Sequence, residues 1–194
     1  MRRCGVMVAV LIIAGLACSR GHGRSVPTPV KAPTTAPSPA TSTAAGGTFN
    51  RPDLGVRLDW PAGWVKQPSN DFVLLVARQG GDGSSTLSLD VPALPPHIPG
   101  LIPIGSVRGG YVDDLRKSAG TLKTTDLSPP ALPQTSERFV RSTWTADGVE
   151  WQETALLMVH GDRVYILRGK SKTSDEQPTR AAFDGVVQSL KWLK

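Results

Sequence analysis

Two long runs of strand-forming residues, Arg138–Thr145 and Val149–Val159, meet at Asp147-Gly148. An Asp-Gly pair tolerates the left-handed backbone that both central positions of a tight hairpin turn require, so the pair predicts an antiparallel hairpin. In the second run Val149, Trp151, Ala155, Leu157 and Val159 fall on one face at the two-residue period of a strand, with Glu153 among them. His160-Gly161-Asp162 turns the chain again, and Arg163–Gly169 returns beside it. Three antiparallel strands in succession make a meander, and the rest of the chain has to fold around it.

The remainder of residues 48–194 supplies matching parts. Val56, Leu58 and Trp60 alternate with Arg57 and Asp59, and Pro61-Ala62-Gly63 turns into Trp64. Phe72 to Ala77 is apolar throughout, as for a strand covered on both faces. Gly80–Gly83 reads as a turn into Leu87, Leu89 and Val91, which alternate with Ser88 and Asp90 as in a half-buried strand. The spacing of Val107, Tyr111 and Leu115 predicts a helix over about 108–119, with Ser106 as its N-cap. A strand near Leu122–Leu127 stops at Pro129-Pro130. Pro178 suits the first turn of a closing helix, whose buried stripe is Phe183, Val186, Val187 and Leu190. The expected fold is α+β: an antiparallel sheet of about six to seven strands with two helices packed on it. A domain of this length buries roughly 68–70% of its unfolded surface and needs no disulfide.

Three stretches carry a resemblance. Gly55-Val56-Arg57-Leu58-Asp59-Trp60-Pro61-Ala62-Gly63-Trp64 is similar to the opening strand and Pro-x-Gly-Trp turn of the PsbP-like family. That family includes the extrinsic photosystem II protein and small bacterial lipoproteins of the DcrB type. Gly161–Leu167 resembles its last strand, and Ala182-Phe183-Asp184-Gly185-Val186-Val187-Gln188-Ser189-Leu190 its closing helix. The resemblance implies a non-enzymatic accessory or binding domain. It transfers no catalytic residue. The Pro-rich loop at 92–103 departs from the family's short loop.

The N-terminal region has a different character. Met1-Arg2-Arg3 precedes an apolar run from Val6 to Leu16, about eleven residues and too short to span a bilayer. A basic start, a short apolar run and small residues at its end make a secretory signal over 1–17. The ending Ala14-Gly15-Leu16-Ala17-Cys18 resembles the lipobox of bacterial lipoproteins, with Gly15 where the strongest have Leu. The resemblance implies cleavage before Cys18 and lipidation of its thiol, so membrane lipid is one expected partner. Acyl chains in pairs supply stable attachment. Between Ser25 and Gly47, eighteen of 23 residues are Pro, Thr, Ala or Ser. That composition cannot bury enough apolar surface to order itself, so 18–47 is expected to be a disordered tether. At roughly 3.1 Å per residue, residues 19–47 would reach about 90 Å when fully extended.

Charge is unevenly placed. Of 22 cations, two lie in 1–17 and three, Arg20, Arg24 and Lys31, in 18–47, where there is no acid. The domain keeps 17 cations against 16 acids, a net of +1. A basic stripe on the domain is what nucleic-acid binding uses, so nucleic acid is not an expected partner.

Motifs of catalysis and metal binding are missing. His22, His97 and His160 have no ligand spacing, and no cysteine pair is left after Cys4 is lost with the signal. No metal or cofactor is expected. There is no Gly-x-Ser-x-Gly elbow. Gly80–Gly83 is followed by Ser84-Ser85 and a strand, where a phosphate loop needs Lys-Ser/Thr and a helix. Asp113-Asp114 point in different directions on a helix. Glu153, on the buried face of its strand, needs a partner; Arg168 or Arg141 would make it a structural ion pair. The loop Pro92–Pro103 contains five prolines together with Leu94, Ile98, Leu101 and Ile102. Those four apolar residues either cover the sheet or offer a binding surface. The functional expectation is a membrane-anchored lipoprotein with a non-catalytic binding or accessory domain and an envelope protein partner. Two alternatives stay open: a carrier of a small apolar ligand held between sheet and helix, and an enzyme with a dispersed active site drawing on residues such as Ser106 and His160.

Overall fold

The computed structural model describes residues 45–70, 72–94 and 102–194. In chain order these form β1 (Gly47–Arg51), β2 (Val56–Trp60), β3 (Trp64–Lys66), β4 (Leu74–Arg78), β5 (Thr86–Asp90), α1 (Ile104–Ser118), β6 (Lys123–Leu127), β7 (Ser136–Ala146), β8 (Val149–His160), β9 (Arg163–Lys172), α2 (Glu176–Ser189) and β10 (Lys191–Trp192). The signal segment, Cys18, Ile98 and Leu101 lie outside the described residues.

The meander forms as the sequence predicts. Asp147 (φ 52°) and Gly148 (φ 74°) both take the left-handed conformation of the tight hairpin turn. That turn sets a β7–β8 register running from Ala146↔Val149 to Ser136↔Val159. β9 then pairs with β8 from His160↔Arg163 to Trp151↔Lys172. The seven-stranded sheet has the order β3-β4-β5-β9-β8-β7-β6, with every pairing antiparallel.

Helices cover the sheet on both sides. α1 packs on β7 and β8, and α2 on β2, β5 and β9. The α1 side gathers Tyr111, Val112, Val140, Ala155 and Leu157. The α2 side gathers Phe139, Leu156, Met158, Leu167 and Phe183. β8 is therefore buried on both faces from Gln152 to Met158, where its alternation suggests a single buried face. In β4 the expectation fails in the opposite direction. Leu74 and Val76 are buried, but Leu75 and Ala77 are only half-buried, since α1 lies over β7 and β8 and leaves this part of the sheet open.

α1 starts earlier than its periodicity indicates. Pro103 occupies the cap position, its carbonyl accepting from the Ser106 and Val107 amides at 2.9 and 3.3 Å. Ser106 lies inside the first turn and does not cap it. A proline fixed near φ −75° is already suited to enter a helix. In α2, Pro178 occupies the first turn as expected, and Phe183 and Val186 are fully buried.

A second sheet, ordered β1-β2-β10, is an addition to the predicted architecture. β2 pairs with β1 and β10 and stays out of the larger sheet. Tyr165 of β9 ties the two together by donating to the Leu54 carbonyl at 2.6 Å. Trp192 of β10 stacks on His160 at 4.2 Å and donates from Nε1 to Thr135 Oγ1 at 3.0 Å. No helix among the described residues is long and apolar enough to cross a membrane.

Candidate functional site

Because α1 leans over β7 and β8, it leaves a cleft of about 370 Å³ between itself and β9. Strand alternation decides what the cleft sees. Val164, Ile166 and Arg168 of β9 point toward it, while Tyr165 and Leu167 pack on the opposite side. Val107 and Leu115 of α1 close the facing wall, and Leu94, just beyond β5, lines the rim.

The floor of the cleft is charged. Arg168 Nη2 lies 3.4 Å from Asp90 Oδ2, with both side chains about a quarter exposed (22% and 24%). The guanidinium also sits over the Phe72 ring, 4.8 Å from its centroid. Beneath α1, Tyr111 donates from Oη to Glu153 Oε1 at 2.6 Å. Glu153 is 4% exposed. Burial pushes its carboxyl upward from the ordinary value; the Tyr111 hydrogen bond and the charges of Arg168 and Lys170 oppose that shift. Burial also raises the Tyr111 phenol, helped by the adjacent Glu153 carboxylate, so it stays a donor. Lys170, next to Glu153 in the β8–β9 register, lies over Trp151 and Trp144 at 4.7 and 5.5 Å.

The residues singled out from sequence are distributed as follows. Leu94 is at the cleft; Ile102 is half-buried and outside its lining. Glu153 takes its hydrogen bond from Tyr111. Arg168 acts on it as a nearby charge and makes its own contact ion pair with Asp90. Arg141 pairs with Glu176 and reaches Gln152 at 3.2 Å. Ser106 lines the cleft, while His160 is stacked on Trp192 with Nδ1 3.1 Å from the Gln134 carbonyl. The two do not share a site. Gly80–Gly83 joins β4 to β5, and Asp82 there pairs with Lys172 and accepts from the Ser84 amide at 2.9 Å. No group of three or more His, Cys, Asp or Glu among the described residues is placed to hold a metal. Tyr111, Asp90 and Phe72 went unmarked as site residues in the sequence. Their partners lie 42 and more positions away along the chain, and no local pattern links them.

No family model and no curated protein matches the chain. Solved structures do. The solution structure of cyanobacterial PsbP (CyanoP) from Synechocystis sp. PCC 6803 matches with a TM-score of 0.53 and 14% identity, covering 81% of this chain and 98% of that one. LpqN of Mycobacterium tuberculosis, described as involved in cell envelope biogenesis, matches with a TM-score of 0.53 and 13% identity, covering 77% of this chain and 91% of that one. The domain has the PsbP-like fold. At these identities the likeness is one of fold, and the cleft residues of this PsbP-like domain are argued on their own geometry.

Proposed function

We propose that the chain is a bacterial envelope lipoprotein, acylated at Cys18, whose PsbP-like domain is a non-catalytic binding and accessory module at the end of the 18–47 tether. The observation that carries this reading is the order of parts: a lipobox-like ending, a Pro/Thr/Ala/Ser spacer, then a domain with the fold of LpqN, itself described as involved in cell envelope biogenesis. The cleft beneath α1 agrees with binding. Leu94, Val107, Leu115, Val164 and Ile166 supply its apolar lining, its floor holds one ion pair, and no His or Cys is among its described lining residues. Metabolic labelling with an alkyne-bearing fatty acid should mark the wild-type chain and leave Cys18→Ala unmarked. Crosslinking in intact cells, followed by capture, should enrich one consistent envelope component. Labelling that persists in Cys18→Ala, or capture without any consistent component, would remove the proposal.

The second reading is a carrier of a small, mostly apolar ligand, and the cleft favours it. Its volume falls within the range of small-molecule sites, roughly 300–1,000 Å³, and Leu94, Val107, Leu115, Val164 and Ile166 give it apolar surface beside Arg168.

A further inference from the structure

We propose that the cleft binds a single-chain monocarboxylate amphiphile, its carboxylate on the Arg168 guanidinium and its apolar body between Val107, Leu115 and Ile166. The proposal rests on the reading of the cleft as a ligand site and names the chemistry that the site selects.

The first argument is donor supply. A guanidinium presents five N–H donors in a planar fork that matches a carboxylate. Arg168 commits one of them to Asp90 at 3.4 Å, beyond the 2.7–3.2 Å of a well-formed N–H···O bond. Its Nε is buried without an acceptor among the described residues. A carboxylate arriving over the partly exposed guanidinium would take up donors that Asp90 leaves uncommitted.

The second argument is charge. The charged side chains among the described lining residues are Arg168 from β9, Asp90 from β5 and Asp114 from α1, with the Tyr111 phenol beside them. Glu153 is buried beneath α1, where it accepts from Tyr111 at 2.6 Å, and is not among the described lining residues. Arg168 is the one cation among the described lining residues, and Asp90 lies 3.4 Å from it. One guanidinium suits a ligand carrying one negative charge, and a dianion would exceed it. Asp114 at the rim is held by Lys117 at 2.6 Å.

The third argument is shape. Val107 and Leu115 of α1 face Ile166 and Arg168 of β9 across the cleft, so apolar surface lies beside the guanidinium. A volume near 370 Å³ suits one short chain and excludes a two-chain phospholipid.

Decanoate, decanol and decyltrimethylammonium have equal chain length and different heads, so they separate the terms. Calorimetric titration of the full chain should show saturable decanoate binding, weaker decanol binding and none of the cation. Arg168→Gln should weaken decanoate by more than about tenfold and leave decanol unchanged, since it removes one side of a desolvated charge pair. A measurement on the wild-type chain guards against a variant that folds poorly. The Arg168 Nε proton resonance should shift with decanoate and stay in place with decanol. Equal binding of decanoate and decanol, with a stationary Nε resonance, would overturn the carboxylate assignment and leave the cleft a ligand site. Binding of none of the three would overturn both.

Discussion

Tyr111 Oη lies 2.6 Å from Glu153 Oε1, and this hydrogen bond joins the middle of α1 to the centre of the seven-stranded sheet. Both residues are buried, so neither group recovers water when the other is removed. Tyr111→Phe leaves a buried carboxyl without its donor and should lower stability by about 1–3 kcal/mol. Glu153→Leu leaves the phenol without its acceptor and should cost a similar amount. The double variant should cost less than the two singles together, because residues in direct contact couple. Denaturant melts of the four proteins check this; strict additivity would mean that the bond carries no coupling.

The same pair predicts a pH dependence. Burial raises the Glu153 carboxyl above its ordinary value of 4.5, so the folded state holds this proton more tightly than the unfolded state does. The stability it contributes is complete below 4.5 and is lost as pH rises through the folded-state value. Arg168 and Lys170 oppose the shift and limit the loss. Melting measured from the acid side of 4.5 up to neutrality should show a decline that Glu153→Gln flattens. An identical slope in wild type and variant would assign the decline to other groups.

Gly169 lies in tight packing on the opposite face of the sheet. A Cβ built there would meet Phe183 Cδ2 at 3.0 Å, Phe183 Cβ at 3.2 Å and Leu87 Cδ2 at 3.4 Å. Phe183 is fully buried and stacks on Phe139, so it has little room to yield. Gly169→Ala should therefore lower stability by about 1–3 kcal/mol through overpacking. A melt unchanged by Gly169→Ala would show that α2 can lift off β9 at no cost.

Gly109 predicts the opposite sign. It lies inside α1, its φ is not left-handed, and a Cβ there meets nothing within 4 Å. Glycine in a helix interior costs roughly 0.5–1 kcal/mol relative to alanine. Gly109→Ala should raise the melting free energy by about that amount, and amide exchange along α1 should slow. Destabilisation would mean that α1 needs glycine for a reason its surroundings do not reveal.

Much of this fold was written locally. Asp147-Gly148 sets the β7–β8 register by itself, and the four-residue spacing of Val107, Tyr111 and Leu115 marks the face that α1 buries. What escaped was set from a distance. Gly47–Arg51 follows directly on a Pro/Thr/Ala/Ser segment and becomes β1 through pairing with β2, while Lys191-Trp192 is a strand only because β2 lies beside it. The burial of both faces of β8 depends on where two helices land, which the alternation of β8 does not encode. The site was less legible still. Glu153 stood out as a buried acid, but Tyr111 and Asp90 were joined to Glu153 and Arg168 only by the packing of α1 and the pairing of β5 with β9.

Cys18→Ala tests the division between anchor and domain. If Cys18 carries the lipid, the variant should move from the detergent-rich to the aqueous phase in a detergent partition. The hydrophobic core of the domain is built from residues between Phe49 and Trp192, well away in sequence from the cysteine. A segment of the composition of 18–47 has too little apolar surface to couple the two. The melting curve of Cys18→Ala should therefore overlay that of the wild type while its partitioning changes completely. Loss of cooperative melting would tie the core to the N-terminal region, and unchanged partitioning would place the membrane attachment elsewhere in the chain.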